Sequence, residues 1–180
     1  MLHLPETWSL LSSEDQRSPE GHQEEVQSQD RALTRTFGAE IIILPWDTNE
    51  IYGHTDGIVR FIDDDSVLMT NYAQFDPAMA TRFRRILQTH FKNVYELSFK
   101  AAKPHKYSWA YINWLQTDKV LILPKFGIPE DQEAYEQISK LMLQYRNRIE
   151  MVDASDLIRY EGGLNCASWT IYVTPNQDQP

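Results

Sequence analysis

Apolar residues along the chain fall into short runs that alternate between strand and helix periods, with mostly polar stretches near both ends. Ile41 to Leu44 is a continuous apolar run closed by Pro45, the pattern of a strand covered on both faces. Ile58 to Ile62 and Val67 to Thr70 flank Asp63-Asp64-Asp65, which predicts a hairpin with a solvated acidic turn. Asp76-Pro77 places a capping residue before a first-turn proline. Met79, Phe83, Ile86, Leu87 and Phe91 then recur at helical spacing, with Arg82, Arg84 and Arg85 on the wet side. Val94 to Phe99 predicts the next strand, broken at Lys103-Pro104.

The same order then returns. Trp109 to Leu115 alternates as a strand would, and Val120 to Leu123 is a buried strand closed by Pro124. Pro129 opens a helix whose apolar stripe is Ala134, Ile138, Leu141, Met142 and Tyr145. Ile149 to Val152 reads as a strand, Ser155 to Arg159 as a short turn or helix, and Leu164 to Val173 as the last strand. Strand, hairpin strand, helix, strand thus appears twice without a repeat in residues. That grammar predicts α/β modules of about sixty residues whose sheets need neighbours to cover them.

Ahead of these modules, Met1 to Leu11 carries scattered apolar residues including Trp8, and Ser12 to Asp30 offers almost nothing to bury. Gln29 to Phe37 predicts a short helix ended by Gly38. The expected division is a polar, partly disordered segment over 1–30, one α/β domain over 31–175 and a frayed tail over 176–180.

Composition narrows the partners. The 180 residues are 42% hydrophobic and 24% charged, ordinary for one globular domain with its own core. A formal charge of -9 argues against nucleic acid, whose phosphates need a basic face, and suits a small cationic substrate. One cysteine forbids an intramolecular disulfide. No apolar run reaches membrane-span length, and the start lacks a signal peptide's basic head and apolar core, so the expectation is a cytoplasmic protein without a membrane partner.

Three residues can carry chemistry. In Tyr52 to Phe61, His54 and Asp56 stand one residue apart between Gly53 and Gly57; on a strand both would face the same way. Taken alone the pair reads as a loop histidine and a turn aspartate. The third is Cys166, in Glu-Gly-Gly-Leu-Asn-Cys-Ala-Ser-Trp. A lone cysteine in an apolar strand is usually a small buried hydrophobe. Here Gly162 and Gly163 would let the backbone come close to a ligand, and a protonated His54 nearby would lower the thiol pKa from about 8.5. Trp46, Tyr52, Trp109 and Trp114 are either a wall for a cation or core packing.

Gly53-His54-Thr55-Asp56 followed by Arg60-Phe61 resembles the Gly-His-x-Asp-x-x-x-Arg-Phe signature of agmatine deiminases and bacterial-type (Porphyromonas-type) peptidylarginine deiminases. The strand ending in Pro45, the Trp109 to Leu115 stretch, Val120 to Pro124, the helix after Pro129 and Gly-Gly-Leu-Asn-Cys166 follow in that family's order, so the resemblance covers residues 33 to 174. It implies the pentein fold, a ring of ββαβ modules around a substrate tunnel, with this chain supplying about half of the ring. It also implies roles: Cys166 attacks the carbon of a guanidinium, His54 moves the protons, and Asp56 grips two guanidinium N–H groups. Gly163 and Trp109 would lie beside the substrate. No metal or organic cofactor is implied.

The departures from that pattern also count. A full-length relative has an N-terminal half that supplies two further acids, and residues 6–30 hold no counterpart of them. Asn165 stands where the family often has histidine. Glu161 replaces a usual glycine, and a buried glutamate beside the thiol would raise its pKa. The expectation is therefore a deiminase-like hydrolase of agmatine or an arginine derivative that releases ammonia and is weak or inactive alone. Its expected partners are a small guanidino substrate and either a second copy or a separate chain carrying the N-terminal half. The alternatives are a catalytically degenerate binding module and an amidinotransferase.

Overall fold

Residues 8–13 (backbone only), 31–47, 54–169 and 171 are described by the structure, a computed structural model. Strand β1 (Trp8–Ser13) pairs in parallel with β2 (Glu40–Pro45), Trp8 opposite Glu40. Ser12 and Ser13, expected in the polar connector, therefore belong to a strand, while 1–7 and 14–30 lie outside the described residues. Between β1 and β2, helix α1 (31–37) ends at Gly38, whose φ of +62° is the left-handed conformation glycine adopts without strain.

Two modules of one design follow. In the first, β3 (Val59–Asp63) and β4 (Ser66–Met69) form the expected hairpin, α2 (Pro77–His90) crosses over, and β5 (Asn93–Glu96) returns parallel to β4. In the second, β6 (Leu115–Gln116) pairs antiparallel with β7 (Leu121–Lys125), α3 (Glu130–Leu141) crosses over, and β8 (Ile149–Asp153) lies parallel to β7. The sheet orders β3-β4-β5 and β6-β7-β8 make the architectural repeat explicit. Asp76 caps α2 by accepting the Met79 N–H at 2.9 Å, with Pro77 at the first position, as the sequence requires. Among the described residues no helix is long and apolar enough to cross a membrane.

Strand β4 is buried at every position because it serves two cores. Val67 and Met69 face a cluster with Ile42, Leu44, Val59, Phe83 and Leu87. Leu68 faces the other way, into a cluster with Leu97, Tyr111, Ile112, Trp114, Leu121 and Ile138 that joins the two modules. This two-sided burial is why the run reads as continuously apolar.

Two expected strands are replaced. Trp109 to Leu115 is mostly a 3-10 helix, Ser108–Ile112, with β6 reduced to two residues. Strand alternation needs a wet face, yet Ala110, Tyr111, Ile112, Asn113 and Trp114 are all buried. The Ala110 and Asn113 N–H groups bond back three residues, to Tyr107 and Ala110. Leu164 to Val173 is a turn over 164–167 with non-strand backbone at 168–169; 170 and 172–173 lie outside the described residues. The Asn165 and Cys166 N–H groups are taken by Asn113 and so are not offered to a ladder. The strand expected over Val94 to Phe99 ends at Glu96, although Leu97 and Phe99 still reach the shared core.

The 3-10 segment is fastened to the start of α3. Asp131 accepts the Tyr111 hydroxyl at 2.7 Å and the N–H groups of Phe126, Gly127 and Ile128. Tyr111→Phe is expected to cost about 1.5–3 kcal/mol in urea denaturation, the usual worth of a hydrogen bond to a charged group. A loss below about 0.5 kcal/mol would show that this fastening carries little of the second module's stability.

Candidate active site

His54 and Asp56 lie not on a strand but at a 3-10 turn, Thr55–Gly57, with His54 at its N-cap. Period-two reasoning therefore does not apply: Asp56 meets the Cys166 thiol, whereas His54 is exposed and lines the adjoining cleft. Gly57 is buried, and a Cβ there would come within 3.2 Å of the Trp109 ring, so glycine lets Trp109 pack against this turn. From the second module comes Asn113, and from beyond β8 comes the turn carrying Gly163, Asn165 and Cys166.

These pieces meet at one carboxylate oxygen. Asp56 Oδ2 accepts Asn113 Nδ2 at 2.8 Å, Asn165 Nδ2 at 2.8 Å and the Cys166 thiol at 3.3 Å. Oδ1 accepts no hydrogen bond from the described residues. Asn113, fully buried, turns its Oδ1 the other way and accepts the N–H groups of Asn165 at 3.0 Å and Cys166 at 3.3 Å. A Cβ on Gly163 would sit 2.3 Å from Asn113 Oδ1, so the space this glycine leaves open is filled by Asn113. Sequence reasoning passed over Asn113; its one signal was a polar residue inside the apolar run Trp109 to Leu115.

Burial pushes the Asp56 carboxyl up, but the amides of Asn165 and Asn113, the thiol and the charge of His54 outweigh it and leave Asp56 below its ordinary range. Cys166 moves in the opposite direction. Desolvation of its sulfur comes first and the adjoining Asp56 charge and hydrogen bond add to it, so the thiol lies above its ordinary range despite contacts with Gly163 and Asn113 that lower it. The residue itself is exposed; the sulfur points inward at Asp56. Glu161, expected as a buried acid raising the thiol's pKa, is exposed, so Asp56 supplies that effect instead.

A cleft of about 570 Å³ adjoins this cluster, lined by His54, Asp47, Tyr72, Trp109, Lys106 and Glu161 among others. Asp47 is buried and accepts the Tyr72 hydroxyl at 2.8 Å. Trp109 is thus on the cleft wall, whereas Trp114 is fully buried beneath Arg60 and is not part of a cation wall. Trp46 is half-buried, and Tyr52 lies outside the described residues.

A model of the Porphyromonas-type peptidyl-arginine deiminase family matches residues 6–171. Among solved structures, the chain is similar to the C. jejuni agmatine deiminase at 21% identity and a TM-score of 0.65, covering 89% of this chain and 50% of that one. It is similar to the same enzyme in a serine variant with substrate bound (22% identity, TM-score 0.61, 88% of this chain and 50% of that one). The agmatine deiminase of Enterococcus faecalis matches at 18% identity and a TM-score of 0.64, over 89% of this chain and 52% of that one. The chain spans about half the length of these relatives. No curated protein sequence matches it significantly.

Gly163→Ala tests the local geometry. The added methyl displaces the Asn113 amide, so amide hydrogen exchange at Asn165 and Cys166 should accelerate well beyond that of the α3 amides. Unchanged protection at both positions would contradict the packing described. The thiol provides a pH test: a folded pKa above the ordinary value of about 8.5 means that iodoacetamide labels Cys166 with a midpoint higher than free cysteine's. A midpoint at or below that of free cysteine would contradict the raised pKa.

Proposed function

The chain belongs to the Porphyromonas-type peptidyl-arginine deiminase family and has the pentein fold, and from that premise we propose that it hydrolyses a guanidino group, with Cys166 as nucleophile, His54 as acid and base, and Asp56 as the guanidinium's anchor. The observation that supports this most is the Asp56 carboxylate, which holds the thiol at 3.3 Å with Oδ2 while Oδ1 accepts no hydrogen bond from the described residues. A carboxylate that binds a guanidinium through both oxygens would aim its carbon at that sulfur.

The chemistry runs in two halves. A thiolate on Cys166 attacks the guanidinium carbon and forms the C–S bond. Protonated His54 gives its proton to the departing nitrogen, the C–N bond breaks, and ammonia leaves behind a thiouronium. Neutral His54 then takes a proton from water, whose oxygen adds to the same carbon. Cleavage of the C–S bond releases the ureido product and regenerates Cys166. The resting thiol is protonated at neutral pH because burial and Asp56 oppose the thiolate. A cationic substrate on Asp56 cancels that charge and takes the place of the S–H···O contact, so binding itself favours the nucleophilic form. The thiol proton passes to solvent or to His54.

Agmatine is the substrate we favour. Its distal ammonium would find two acids in the cleft, the buried Asp47 and Glu161, with Trp109 along the wall. Such a small substrate agrees with the substrate-bound C. jejuni relative. A binding module without turnover is the second reading, favoured by the raised thiol pKa.

Two alkylating reagents separate these readings. Relative to free cysteine, the cationic amidine 2-chloroacetamidine should label Cys166 faster than neutral iodoacetamide does. Asp56→Asn should reverse that preference by slowing the cation at least tenfold while speeding iodoacetamide, because the anchor is lost and the thiol pKa falls. Equal responses to both reagents would leave Asp56 without an anchoring role and sink the guanidine reading.

A further inference from the structure

Arg60 lies four residues beyond Asp56 on β3, and its part-buried guanidinium has no carboxylate within ion-pair distance among the described residues. It is held instead by Trp114. Nη2 donates to the Trp114 carbonyl at 3.3 Å, and the guanidinium stacks 5.4 Å from the indole. Trp114 is itself fully buried, with its indole N–H donating to Gln116 at 2.9 Å. The residue before it, Asn113, bonds both Asp56 and the Cys166 N–H, so one dipeptide fixes Arg60 on one side and the nucleophile's turn on the other. A desolvated cation without a paired acid is costly, and arginine cannot escape the cost by losing its proton.

We propose that Arg60 is a positioning residue of the Cys166 site: held on Trp114, its guanidinium keeps a permanent positive charge near the Asp56–Cys166 pair and favours thiolate over thiol. This inference rests on the reading of Cys166 as nucleophile. Burial lowers the Arg60 pKa, and the charges of Asp56 and ionised Cys166 act against that lowering. By reciprocity, the Arg60 cation stabilises both anions. The ionisable groups that act on the pair among the described residues are Asp56 on the 3-10 turn, His54 before it, and Arg60 on β3. The negative charge of Asp56 and the positive charge of Arg60 offset one another while the thiol keeps its proton. A cationic substrate adds one positive charge, and loss of the thiol proton to solvent offsets it. Without Arg60, the same ionisation would have one positive charge fewer to balance the thiolate in a part-buried setting.

The test is the pH profile of Cys166 alkylation by iodoacetamide, in which the thiolate displaces iodide and the rate follows the ionised fraction. Arg60→Gln keeps a donor for the Trp114 carbonyl but removes the charge, and Arg60→Lys keeps the charge but removes the planar fork. Arg60→Gln should move the midpoint up by about one pH unit, which is about tenfold slower labelling below the midpoint. Arg60→Lys should move it by less than half as much. Arg60→Met, a second neutral variant, gives the same reading if the glutamine variant does not fold. Coincident profiles for the neutral variant and the native chain overturn the proposal, as does a lysine profile displaced as far as the neutral one. Labelling of the native chain by 2-chloroacetamidine no faster than that of free cysteine would instead defeat the guanidine reading, while the iodoacetamide midpoints would still decide the role of Arg60.

Discussion

One carboxylate oxygen holds the site together. Asp56 Oδ2 gathers an amide from the second module, an amide from the last described turn and the thiol itself, residues up to 110 positions away in sequence. Three donors on one part-buried oxygen keep the carboxylate ionised against the cost of desolvation. The charge that organises the turn also adds to the desolvation that raises the Cys166 thiol pKa. In the proposed chemistry, ordering the site and activating it are therefore opposed until a cation arrives. That opposition links the packing to the proposed chemistry.

The scaffold makes such a meeting point possible. Each module sends a tight segment toward the other: the turn around Asp56 from the first, and the 3-10 stretch ending at Asn113 from the second. Leu68 and Ile62 share a core with Tyr111, Ile112 and Trp114, so the two segments are pinned by burial on the order of several kcal/mol rather than by the polar contacts alone. A second fastening joins the modules next to the cleft, where Asn71 donates to Ser108 at 3.0 Å with both side chains fully buried. Rigid walls of this kind suit a site that must hold a planar cation against a sulfur.

Much of this was legible in the residues. The Asp63–Asp65 turn between apolar runs, the Asp76-Pro77 cap and the helical stripes of α2 and α3 are local signals, and each produced an element of the expected type, although α3 stops at Leu141 and the last residue of its expected stripe, Tyr145, lies in a separate 3-10 turn. Wherever tertiary contacts overrode local pattern, the reading went astray. Trp109 to Leu115 alternates in polarity, but every position from Ala110 to Trp114 is buried between modules, and the backbone coils to fit. The turn at Cys166 is shaped by bonds to Asn113, a partner more than fifty positions away that no strand propensity could indicate. His54, Asp56 and Cys166 could be named as a set, and Asp56 and Cys166 do come into contact. That Asn113 mediates the meeting, and that Gly163 makes room for it, is decided by tertiary packing and leaves no local pattern in the sequence.

The most direct measurement of the central claim is the intact mass of the chain after incubation with agmatine and rapid acid quench. A covalent species heavier by agmatine less ammonia is expected, located on Cys166 and absent from Cys166→Ser. An unmodified mass at every quench time, with no ammonia released, would contradict the assignment of Cys166 as the nucleophile of a guanidine hydrolase.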